Sequence, residues 1–210
     1  MAAFFGNLRN VVIASFVLAI LLIGLYCSLQ GFNGIVFGQF VLRWLHVAAG
    51  VMWIGLLWYF NFVQIPTMPK VPDDLKKGVT GYIAPEALFW FRWAAMTTII
   101  LGILLALHNG YLVEAYTLGA TENFVNPKNI MIGIGMWLGT IMWFNVWFVI
   151  WPNQQKALNI AGKYPDLPAA DKAAAGKTAM IFSRVNTLLS VPMLFAMVAA
   201  IAEASVQPEP

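Results

Sequence analysis

Along most of this chain apolar positions do not alternate with polar ones but run on in blocks. Near-continuous apolar stretches cover residues 11–31, 42–63, 87–108, 130–151 and 179–202, and the segments between them hold most of the Asp, Glu, Lys and Pro. Blocks of about 20 residues, at 1.5 Å of rise each, match the roughly 30 Å hydrocarbon layer of a bilayer. Helix is the open-chain form that satisfies every backbone group inside lipid. The pattern therefore predicts an all-α fold, an integral membrane helical bundle of five transmembrane helices forming a single membrane domain over 1–210. The first block is longer than the apolar core of a secretory signal, about 7 to 15 residues, and no small-residue cleavage site closes it convincingly. Pro66 and Pro152 are expected to stop the second and fourth spans, and Pro192 to kink the fifth.

Composition supports the same class. Apolar residues make up 60% of the chain and charged residues 10%, against about 25% charged in soluble domains. The mean hydropathy is +0.75. The net charge of +3 is modest and its basic residues are scattered between spans, which excludes a nucleic-acid surface and leaves the lipid bilayer as the obligatory partner. Cys27 is the single cysteine, so neither an internal disulfide nor a CxxCH haem attachment is available within these residues. Lys70, Lys76 and Lys77 crowd the second loop and Lys156, Lys163, Lys172 and Lys177 the fourth, whereas the third has only Lys128. By the positive-inside bias the N-terminus is then cytoplasmic and the C-terminus periplasmic.

The chemistry-bearing residues fall at two levels. His46 starts the second span and His108 ends the third, so the only two histidines arrive at one side of the membrane. Two neutral imidazoles on neighbouring helices suit the axial positions of a b-type haem, with Gly50 and Gly102 leaving room for the porphyrin. The plainer alternatives are an interfacial His108 and a His46 bonded to a carbonyl. Zinc is disfavoured, because two histidines without nearby Cys or clustered acids do not complete a tetrahedral site. Toward the other end lie Arg92, Arg184, Asn61 and Asn145, a layer able to hold a planar or anionic ligand, or to form a structural network with Glu86. Residues 52–61, MWIGLLWYFN, match residues 136–145, MWLGTIMWFN, which implies two similar helical hairpins built from spans two and three and spans four and five. Ile130 stands where the second copy would carry His46.

HVAAGVMWIGLLWYFNFVQIP at 46–66, FNVWFVIWPNQQK at 144–156 and RVNTLLSVPMLFAM at 184–197 together resemble the membrane domain of bacterial membrane-bound urate hydroxylases, the urate oxidase N-terminal family. The resemblance runs over nearly all of residues 40–200. It implies a place in the bacterial inner (cytoplasmic) membrane and a redox role linked to the respiratory chain. In that family the domain is joined to a cytochrome c, and urate is oxidised to 5-hydroxyisourate. With no such module in these residues, the resemblance implies a haem protein passing electrons to a separate cytochrome c or to a respiratory-complex subunit. The donor is left open between urate and quinol, and an accessory structural subunit without a substrate is the alternative.

Overall fold

The computed structural model describes residues 2–204, which are almost entirely helical. Five helices are long and apolar enough to cross a membrane: Leu8–Leu29, Gly34–Lys70, Asp73–His108, Pro127–Leu158 and Ala169–Ala200. The chain divides into two compact units, Met1–Phe40 and Val41–Pro210.

In the first unit, α1 (Leu8–Gln30) begins at Asn7, whose side-chain oxygen accepts from the Arg9 amide at 3.0 Å. Such a cap satisfies one of the four amides that a helix start leaves without a partner. Gly31 then breaks the helix with a φ of 76°, a conformation that costs glycine nothing. Asn33 caps the start of α2 (Gly34–Trp58), accepting from the Ile35 and Val36 amides at 3.0 and 3.3 Å. Tyr26 and Phe40 stack at 5.1 Å within this unit.

In the second unit the remaining part of α2 is joined by α3 (Ala84–His108), α4 (Pro127–Phe144), α5 (Trp151–Leu158) and α6 (Ala169–Ala204). The most extensive packing is between α4 and α6. Small residues are buried on both: Gly135 on α4, and Ala196 and Ala200 on α6. A side-chain carbon at Gly135 would sit 3.1 Å from the Met197 methyl. By contrast α2 and α3 present Trp53, Leu57, Phe60, Leu88 and Phe91 to the core and meet through these larger side chains. The connection between α3 and α4 is laid down on α4: Trp137 donates to the Tyr116 carbonyl at 3.0 Å, Tyr116 and Thr140 share a hydroxyl bond of 3.0 Å, and Ala115 is fully buried against Gly133.

The expectation that Pro66 and Pro152 stop their helices is corrected. Helical backbone continues through both, because each is preceded by a widened, π-type turn: Tyr59–Gln64 before Pro66 and Asn145–Ile150 before Pro152. A third, Val79–Ile83, precedes Pro85. A proline ring collides with the carbonyl one turn back and offers no N–H, and widening the turn relieves the collision without ending the helix. The hydrogen bonds show the shifted register directly. The residue before each proline donates five positions back, Ile65 to Phe60, Ala84 to Val79 and Trp151 to Val146. In that register the next donor would be the proline itself, so the carbonyls of Asn61, Thr80 and Trp147 lose their ladder partner. Pro192 lies inside α6, which continues on both sides of it.

Candidate functional site

His46 on α2 is half-buried, and its Nδ1 lies 2.9 Å from the carbonyl oxygen of Thr98 on α3. A carbonyl only accepts, so Nδ1 carries the proton and Nε2 keeps a free lone pair, the tautomer of a ring held ready to bind a metal ion. The ring rests on Gly102, where a side-chain carbon would come within 2.9 Å of Cε1. At Gly50 the nearest neighbour to such a carbon is the Thr98 methyl at 3.9 Å. The space these glycines leave is thus bordered by His46 and Thr98 themselves. His108 is exposed at the end of α3. Six residues separate it from Gly102, a rise of about 9 Å.

The asparagines of the predicted polar layer are tied to α6. Asn61 donates to Leu57 O at 2.9 Å and to Ser183 Oγ at 2.8 Å. Asn145 donates to Asn186 Oδ1 at 2.9 Å, and Asn186 donates on to Met142 O at 2.9 Å. Trp58 donates to Ser190 Oγ at 3.0 Å. Ser183, Asn186 and Ser190 are spaced three and four apart and so form one stripe on α6. All three are buried, Asn186 and Ser190 completely. This stripe holds together elements from three spans, and it explains how three polar side chains are accommodated in an apolar helix.

The two arginines are placed differently. Arg92 on α3 is partly buried, with its guanidinium carbon 3.8 Å from the Trp151 ring centroid, 5.0 Å from Trp147 and 5.6 Å from Trp93. Its Nε is buried without an acceptor, as are the indole nitrogens of Trp143 and Trp147. Arg184 is exposed on α6. The pairing considered with Glu86 is not formed: Glu86 accepts from Trp90 at 3.1 Å, and the salt bridge among the described residues joins Lys76 to Asp73. Arg92 is therefore held by indole faces rather than by a carboxylate.

A small cavity of about 70 Å³ lies beside Asn61 and Ser183. Polar groups of Gln64, Thr80, Gln154 and Ser183 line it, with Phe60 and Phe91 among its apolar walls. That volume has room for a few waters or a small ion. Each widened turn contributes to the lining, through Gln64, Thr80 and Ile150. Sequence reasoning did not single out Thr80, Ser183 or Ser190. The S-x-x-N-x-x-x-S spacing at 183–190 was a usable signal, whereas the cavity depends on helix positions that no local pattern encodes.

The described residues thus define a polytopic helical protein with the length and apolarity of a membrane-spanning bundle, and no cluster of three or more His, Cys, Asp or Glu able to hold a metal ion. Residues 105–206 match the family described as urate oxidase N-terminal, so a domain of that family is present in the chain. The match takes in α4, α5 and α6 with the Asn145 and Asn186 pair, while the His46 to Pro66 stretch lies outside it. No curated protein and no solved structure matches the chain.

Proposed function

We propose that the protein is a b-type haem redox protein of the inner membrane, with His46 and His108 as the iron's ligands, passing electrons to a separate cytochrome c or respiratory complex. The observation that carries this reading is the His46 bond to Thr98 O, which leaves Nε2 basic and fixes the ring plane. The donor set suits the group: two imidazoles, one of them oriented by a carbonyl. When bound, haem would supply one-electron transfer; the chain's own part is to hold and orient the imidazoles. The N-terminus is assigned to the cytoplasm from the loop lysines, so that the histidines face the periplasm, where a cytochrome c would exchange electrons.

A second reading is favoured by the family match and by Arg92, whose guanidinium has no carboxylate partner. Here Arg92 and Arg184 attract an anionic purine, Asn61 and Asn145 read its polar edge, and urate is oxidised to 5-hydroxyisourate. Asn61 lies 15 residues from His46, about 22 Å along a helix, so electrons would have to cross that gap.

Reduced-minus-oxidised spectra of the purified protein test the first reading. Low-spin bis-imidazole bands are expected, lost in His46→Ala and in His108→Ala. A colourless preparation after haem supplementation, with the helical content intact, would overturn it. Anaerobic urate added to the oxidised protein tests the second: haem reduction lost in Arg92→Gln supports it, and no reduction by urate alongside rapid reduction by a respiratory partner rejects it.

A further inference from the structure

The cavity beside Ser183 brings together features that the proposed redox reading does not use. Its polar lining consists of two carboxamides and two hydroxyls, from Gln64, Gln154, Thr80 and Ser183, with no ionisable side chain among the lining residues. Neither an anion nor a transition metal finds its usual partners there, because the first wants fixed N–H cations and the second wants imidazole, thiolate or carboxylate. Uncharged oxygens gathered around a small cavity suit a hard monovalent cation.

The orientation of the nearby groups points the same way. Asn61 Nδ2 donates to a backbone carbonyl, which fixes its amide and leaves Oδ1 as the buried oxygen without a donor. Gln64 Oε1 is likewise buried and unpartnered. Thr80 spends its hydroxyl proton on Lys76 O at 2.9 Å, leaving lone pairs on Oγ1. Ser183 Oγ receives the Asn61 amide. What is missing around these oxygens is positive charge or a donor, not an acceptor.

We propose that this cavity binds a partly dehydrated monovalent metal cation of the sodium or potassium class through the side-chain oxygens of Gln64, Gln154, Thr80 and Ser183, tying two of the widened turns to α5 and α6. The ion would link the Gly34–Lys70, Asp73–His108 and Pro127–Leu158 helices to α6. Removing it should loosen that end of the bundle and leave the His46 end unaffected.

The test uses the full chain in detergent micelles, prepared in choline chloride and titrated with sodium chloride or potassium chloride at constant ionic strength. A saturable rise in the thermal midpoint with one of the two ions, absent with choline, is expected. Equilibrium dialysis with radioactive sodium or rubidium should show about one site per chain. Both signals should fall at least tenfold in apparent affinity in Gln64→Leu and in Thr80→Val, the latter preserving shape should the former fail to fold. Equal curves in choline and in both alkali salts, or a cation-dependent rise undiminished in Thr80→Val, would overturn the proposal and leave the cavity to water. Haem spectra, with or without cation, report on the His46 reading separately.

Discussion

Replacing Asn186 with leucine is the sharpest test of the polar stripe on α6. Asn186 is fully buried, accepts from Asn145 Nδ2 and donates to Met142 O, both at 2.9 Å. Leucine is of similar size, so the cost is mostly polar. It removes two cross-helix hydrogen bonds, worth about 0.6 kcal/mol each on average within membranes. It also leaves the Asn145 amide, itself buried, without its acceptor, and a stranded buried donor costs about 1–3 kcal/mol. Met142 O is less affected, because the Asn145 backbone N–H already reaches it. The expected loss for Asn186→Leu is therefore about 2–4 kcal/mol.

Asn145→Leu strands Asn186 Oδ1 in the same way, but the double variant strands neither amide on the other. Its cost should fall short of the sum of the singles by about 1 kcal/mol or more. Equilibrium unfolding in mixed micelles, followed by tryptophan fluorescence across the four members of the cycle, measures this coupling. Additivity within about 0.5 kcal/mol would refute the claim that the two asparagines act as a unit.

Three further outcomes follow from the packing and the charges. Gly133→Ala places a methyl on the carbonyl oxygen of Ala115 and should destabilise by about 1–3 kcal/mol or more, whereas Gly55→Ala, with nothing within 4 Å, should be neutral or slightly stabilising in the same unfolding assay. Gly102→Ala pushes a methyl to 2.9 Å from the His46 ring and should weaken the Thr98 bond, read as a lowered thermal midpoint that His46→Ala does not share additively. Burial holds the Tyr111 phenol above its ordinary value of 10.0, against smaller lowering effects from Asn109 and Arg43. The folded state then keeps that proton more tightly than the unfolded chain, so stability should fall as pH rises from about 10 upward, and Tyr111→Phe should flatten that limb of the pH–stability curve.

The five apolar helices were readable because length and apolarity alone mark them, and both are local properties. Their ends were not. Pro66 and Pro152 read as stops under the rule for ordinary helices, yet a one-residue widening of the preceding turn lets each helix pass. The widening is keyed to the proline, but the ordinary-helix rule does not include it. The likeness of residues 52–61 to 136–145 was real in sequence, but matching positions meet different surroundings: Trp53 and Leu57 are buried, whereas Trp137 and Ile141 are exposed. Asn61 and Asn145 were picked out correctly as polar groups in apolar helices, while their partners lay 122 and 41 residues away. The arginines show the same limit. Arg92 and Arg184 occupy comparable places in the sequence, yet one is enclosed by indoles and the other is exposed.

The widened turns also show what governs the two copies of the repeat. Aligned on their asparagines, the copies place Asn61 five residues before Pro66 and Asn145 seven residues before Pro152. If the repeat set the backbone, the widened turns would begin at matching positions relative to the asparagines. They do not: one begins at Tyr59, before its asparagine, and the other at Asn145 itself. Measured from the prolines they coincide, each covering the six residues that end two before the ring. The proline therefore dictates the backbone, and the asparagine is carried along with it. The consequence appears on α6, where Asn61 bonds Ser183 and Asn145 bonds Asn186, neighbouring positions on one stripe. The two matching segments thus meet a single helix, one through a hydroxyl that also lines the cavity and the other through a closed amide pair. The copy beside the cavity is the one that keeps unpartnered oxygens, and it is there that a ligand has something left to bind.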